Sequence, residues 1–147
     1  MTKNEKLFME ECNCKEIQKL WKPKFRDKFV DSECEEVRTI HEIFIDLEDE
    51  KRKYLMTVYY ITKGGYKGTK TVDRKNHNFI WLPSLSQIIA EIEKFPNYVE
   101  WWAGEWIKGK SYYFCIARKQ GKPIEKVSLT IKLAAIKALK QVLKGER

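Results

Sequence analysis

The sequence predicts a single α+β domain over residues 1–147: a largely antiparallel sheet, short N-terminal helices, a middle helix, and a long C-terminal helix packed on the sheet. Three observations carry this expectation. Apolar residues alternate through the middle of the chain between charged or glycine-rich reversals, as strands require. Three stretches place Thr, Asn or Ser three residues ahead of Glu or Gln, the spacing of a helix-starting capping box. The C-terminal stretch carries an apolar period of about 3.6 residues. A chain of 147 residues buries enough surface to fold as one unit without disulfide or metal staples.

In chain order, Thr2-Lys-Asn-Glu5 opens a short helix with Leu7 and Phe8 facing inward. Asn13-Cys-Lys-Glu16 repeats the spacing with an asparagine cap and opens "CKEIQKLW", where Ile17, Leu20 and Trp21 share a face and Pro23 helps end the helix. From Val37 to Leu47, the positions Val37, Thr39, His41, Ile43, Ile45 and Leu47 make one mostly apolar strand face. "EDEKRK" is a charged hairpin turn, "YLMTVYYIT" the partner strand, and "KGGYKG" a second reversal. "TKTV" and "NFIWL" continue the sheet, with "DRKNHN" between them. Ser84-Leu-Ser-Gln87 starts the middle helix, with Leu85, Ile88, Ile89, Ile92 and Phe95 as its apolar stripe, and Phe95-Pro96-Asn97 stops it. "EWWAGEWI" and "YYFCIAR" form a hairpin around "KGKS". The last helix runs from Ile124 to Lys144, with Ile124, Val127, Ile131, Ala135, Ala138, Leu139 and Val142 along one face.

Composition excludes some classes and leaves others open. The chain is 43% hydrophobic and 34% charged, with no run near the roughly 18 apolar residues that cross a bilayer. "MTKNEKLFMEECN" has no apolar signal-peptide core, so a cytoplasmic setting and no membrane partner are expected. Cys12, Cys14, Cys34 and Cys115 then read as reduced thiols. "CNC" has one intervening residue where zinc sites use two to four, so neither a metal nor another cofactor is expected. The net charge is +8, but only six of the 29 basic residues are arginines, and lysine gives a diffuse field rather than forked contacts. Residues 31–50 carry nine acids against Arg38, whereas residues 108–147 carry eleven Lys and Arg against Glu125 and Glu146. An acidic side and a basic side follow unless the segments pair in space.

Two features bear on binding. Residues 97–114, "NYVEWWAGEWIKGKSYYF", hold three of the five tryptophans. Strand alternation puts Trp102 and Trp106 on one face, across the gap left by Gly104 and just ahead of Lys108 and Lys110, the outline of a base-stacking platform. Tryptophan is highly buried on average, and helices can cover both sheet faces, so the run is expected in the core. On the C-terminal helix, Lys126, Lys137, Lys140 and Lys144 fall in a narrow stripe opposite the apolar face. A solvated outer helix face is the simpler account of that stripe; contact with a polyanion is the functional one.

Catalytic patterns are scarce. His41 lies in an apolar strand pattern and His77 in a turn, and no phosphate-cradling glycine loop, GxSxG or HExxH occurs. Asp46 and Glu48 with Lys51 or Lys53 could in principle hold a metal for phosphodiester cleavage, but a solvated turn explains them better. No catalytic residue is expected.

Two stretches carry a resemblance. "CKEIQKLWKPKFRDKFV" resembles the Glu-Ile-Gln, Trp-x-Pro opening of small prophage-encoded bacterial proteins of unknown function, and "FIWLPSLSQIIAEI" resembles their Trp-Leu-Pro-x-x-x-Gln-Ile segment. "VSLTIKLAAIKALKQVL" is similar to the ending of phage α/β sandwich domains. Arg26-Asp27 stands where the resemblance leads one to expect Gly-Asp, so that turn should differ. The resemblance implies a phage-type accessory protein and brings no catalytic residues. The expected function is therefore non-catalytic, through an unidentified protein partner or self-association. The alternative is a nucleic-acid-binding module using the lysine stripe with Trp102 and Trp106, and a metal-dependent nuclease comes last.

Overall fold

The computed structural model describes residues 1–31, 36–45, 55–62, 64–73 and 79–145. Among the described residues it is an α+β chain of four helices and two antiparallel sheets. Its contacts divide it into two compact units, Gln18–Leu82 and Thr2–Ile17 with Pro83–Arg147.

The first unit is a five-stranded sheet of β1 (Lys28–Asp31), β2 (Glu36–Ile45), β3 (Leu55–Thr62), β4 (Lys67–Asp73) and β5 (Phe79–Leu82), in the order β4-β3-β2-β1-β5. Strand β1 escapes the sequence reading because its four residues are too short to show a period. It sits between β2 and β5, so Phe79–Leu82 pair with β1 rather than with β4. Phe29, Ile40 and Phe79 make the core, with Trp21 and Tyr60 packed against them. In β2 the register shifts between Ile40 and Glu42. His41 falls at that bulge, between the paired Ile40 and Glu42, and is exposed, with its ring 6.1 Å from that of Phe25, while Ile40 on the other strand face is buried. The expectation of an inward His41 is thereby corrected.

The residues of the two resemblance stretches meet here. Gln18 accepts from the Trp81 N–H at 2.8 Å and donates to the Trp81 carbonyl at 3.3 Å. Trp21 stacks on Trp81 at 6.4 Å and 5°, and its indole N–H donates to Asp27 at 3.0 Å. Arg26 has φ +72°, a left-handed conformation that glycine adopts readily and arginine does not.

The second unit contains α1 (Lys3–Cys12), α3 (Leu85–Glu93) and α4 (Ile131–Leu143), with a sheet of β6 (Tyr98–Ile107), β7 (Ser111–Arg118) and β8 (Ile124–Ser128) in the order β6-β7-β8. Both α1 and α3 begin on the expected capping boxes, Thr2 with Glu5 and Ser84 with Gln87. Asn13 instead closes α1, and the next helix, α2 (Lys15–Gln18), is one turn that ends before Leu20 and Trp21. The expected C-terminal helix is also shorter. Ile124–Ser128 pair with β7 as a strand, and α4 starts only at Thr130, whose hydroxyl accepts from the Leu133 N–H at 3.0 Å. Ile124 and Val127 mimic helical spacing by coincidence; Ile124 is buried and Val127 exposed. Helix α4 packs on β7, β8, α1 and α3 and buries Leu133, Ala134, Ala135, Ile136, Ala138, Leu139 and Val142.

Candidate interaction surfaces

The register of the three-stranded sheet sorts its side chains into two faces. Ala103 stands opposite Phe114, which stands opposite Lys126; Trp101, Ile116 and Ile124 line up beside them. Phe114, Ile116 and Ile124 are buried, so this is the face that α4 covers. Trp101 closes its margin, stacked on Phe114 at 5.5 Å and 7°. On the other face Trp102 stands opposite Cys115, Gly104 opposite Tyr113, and Tyr113 opposite Val127.

That second face is open. Trp106 is 66% exposed, Val127 48% and Trp102 39%, which corrects the expectation of a core run. The gap expected above Gly104 is filled: a Cβ built there would lie 2.8 Å from the Tyr113 hydroxyl, so the Tyr113 ring rests on the glycine. Trp106 meets Tyr113 edge-on at 6.4 Å and 82°. The result is a row of three aromatic residues with Val127 beside it. Lys108 and Lys110 flank Gly109 in the following turn, where Gly109 has φ +69° and its N–H is accepted by the Glu105 carboxylate at 3.2 Å. Beneath Trp102, burial pushes the Cys115 thiol above its ordinary value, and Glu125 adds to the shift.

The four lysines gather elsewhere. Lys126 of β8, Lys137 and Lys140 of α4 and its C-cap Lys144 line an open depression of ≈ 460 Å³, with Glu11 of α1, Gln141 and Gly145. Lys126 reaches it from a strand and not, as expected, from the helix. Lys140 donates to the Glu11 carboxylate at 2.7 Å, and Lys137 donates to the Ser128 hydroxyl at 3.3 Å. The depression lies on the helix-bearing side of the sheet, because Lys126 stands opposite Phe114. Trp102 and Trp106 lie on the opposite side, so the lysines of α4 and the two rings do not share a face.

Sequence reading missed Tyr113 and Glu11. The first needed the β6–β7 register, and the second needed the packing of α1 on α4. Burial drives the Cys12 thiol far above its ordinary value, against the pull of Lys132 and Lys140, and so favours its protonated form. His41 borders a second cavity of ≈ 390 Å³ with Tyr59, Tyr60, Lys67 and Gly68. Asp46, Glu48, Lys51, Lys53, His77 and Cys34 lie outside the described residues. Among the described residues no helix is long and apolar enough to cross a membrane. No family model, curated protein or solved structure matches the chain.

Proposed function

We propose that this chain is a non-catalytic accessory protein of the prophage type, cytoplasmic, that docks the open face of its three-stranded sheet on another protein. One observation carries the reading: Trp102, Trp106 and Val127 remain exposed on one face, whereas Phe114, Ile116 and Ile124 of the other are buried under α4. Rigid aromatic side chains placed together on an open face are what interface centres use, since they supply area at little entropic cost. Tyr113 holds Trp106 in place, so little ordering remains to be done on association.

Sedimentation velocity on wild type and Trp102→Ser/Trp106→Ser tests it, together with a photo-crosslinking side chain at Val127 in cells. Mass that rises with concentration only in the wild type, or a discrete Val127 adduct abolished by the double substitution, supports docking. A monomer at every concentration with no adduct sinks it. A second reading, single-stranded nucleic acid on the same face, is favoured by Lys108 and Lys110 in the turn after Trp106. It requires oligonucleotides to quench tryptophan fluorescence at physiological salt.

A further inference from the structure

The depression on α4 is a different surface from the aromatic face. We propose that it binds a compact ligand carrying several adjacent phosphate groups. Lysines converge on it from two elements, Lys126 from β8 and Lys137, Lys140 and the C-cap Lys144 from α4. On α4 the three lie within about 60° of one another around the axis. The rest of that helix is largely buried, so they occupy its open stripe.

The charges do not cancel locally. Glu11 pairs with Lys140, and Glu16 lies near enough for Lys144 and Lys140 to help hold its carboxyl below the usual range, its own backbone hydrogen bond being the larger cause. The α4 C-terminus adds about half a negative charge. Among the described residues, four ammonium groups against two carboxylates leave the depression positive. Neither Lys126 nor Lys144 has an ion pair among the described residues. Lys137 and Lys140 are already held, by Ser128 and Glu11, so half of the donors are positioned before a ligand arrives.

Size and chemistry narrow the class. From Lys137 to Lys144 is seven residues, about 10 Å along the helix. A single phosphate does not span that distance, but a chain of them does. Compact ammonium groups suit phosphate oxygens as point charges. Among the described residues no aromatic side chain lines the depression, so they offer nothing for a nucleobase to stack on. Its ≈ 460 Å³ falls within the range of small-ligand sites, about 300–1,000 Å³.

The test is calorimetric titration of the full chain with sodium tripolyphosphate in about 0.15 M chloride. Saturable one-to-one binding is expected. Lys126→Gln/Lys144→Gln should weaken it by about tenfold or more, whereas Lys108→Gln/Lys110→Gln, with the same change in net charge, stays within about twofold. Lys144→Gln alone, at an exposed position, should weaken binding severalfold and guards against a misfolded double variant. Lack of saturable binding overturns the proposal, as does equal loss in the two double variants. Binding of a single-stranded oligonucleotide through these lysines, with no affinity for tripolyphosphate, also overturns it.

Discussion

Replacing Gln18 by leucine should cost this protein several kcal/mol, although no strand residue is touched. In the five-stranded sheet, β5 is an edge strand, paired on one side with β1 in the register Phe29↔Trp81. The Trp81 N–H and C=O bond to the two ends of one side-chain amide, Gln18, at 2.8 and 3.3 Å. That amide stands in for the residue of a neighbouring strand. Leucine keeps most of the volume and removes both bonds, leaving a buried main-chain donor and acceptor without these partners. Each such group costs about 1–3 kcal/mol, and the better burial of leucine returns about 1 kcal/mol. The expected net loss is about 1–5 kcal/mol, read as a fall in the urea midpoint at unchanged slope. Gln18→Glu is the internal control. Its carboxylate keeps the acceptor but faces the Trp81 carbonyl without a proton to donate, so the folded state should raise its pKa. Such a group stabilises below its unfolded pKa of about 4.3 and loses that contribution as pH rises, so the variant should regain ground on mild acidification. A leucine variant within about 0.5 kcal/mol of wild type would show that the amide pairing carries no weight, and the account of how this edge is closed would fail.

Two further outcomes follow from the second unit. Gly104→Ala puts a methyl 2.8 Å from the Tyr113 hydroxyl, so the ring must swing off the strand and lose its edge contact with Trp106. We expect an altered near-UV circular dichroism spectrum and a loss of about 1 kcal/mol, and an unchanged spectrum would contradict the packed row. The Cys12 thiol, with its pKa raised by burial, stays protonated in the fold while the unfolded thiol ionises above the ordinary 9.0. The folded state then holds more protons, so stability falls as pH rises past about 9, by at most about 1.4 kcal/mol per unit. Cys12→Ala should flatten that slope relative to wild type in chemical denaturation between pH 8 and 10.

What was legible in the sequence was whatever is written locally. The Thr2–Glu5 and Ser84–Gln87 boxes name their helices because the capping bonds close within four residues. The same spacing at Asn13 misleads, since Asn13 closes α1 and the following helix ends after one turn, at Gln18. Ile124 and Val127 fit a helical period and an alternating strand equally well over so short a span. Only pairing with β7 decides, and pairing is not local. Asp31 and Arg38 show the same limit. They form a buried ion pair at 3.1 Å across β1 and β2, yet read in sequence as members of an acidic run. Arg26 is the converse case, where the departure from a glycine noted in the sequence falls on a backbone that glycine would occupy without strain.

Both candidate surfaces follow from one asymmetry of the second unit. Its sheet has three strands, and α4, the helix that covers it, is itself packed by α1 and α3. Helices on a single side satisfy Phe114, Ile116 and Ile124 and leave the alternate residues of the same strands facing out. A hairpin this rich in tryptophan cannot place every ring on the covered side, because alternation sends each neighbour the other way. Trp101 goes to the packed face and stacks on Phe114, and Trp102 must then go to the open one. Similarly, a helix surrounded on most of its circumference has one stripe left for polar residues, and Lys137, Lys140 and Lys144 share it. Packing therefore accounts for where the rings and the lysines are, and by itself it would have tolerated serine, threonine or glutamate in those exposed positions. The choice of tryptophan and lysine there is what packing does not explain, and it is the reason to assay the two surfaces separately.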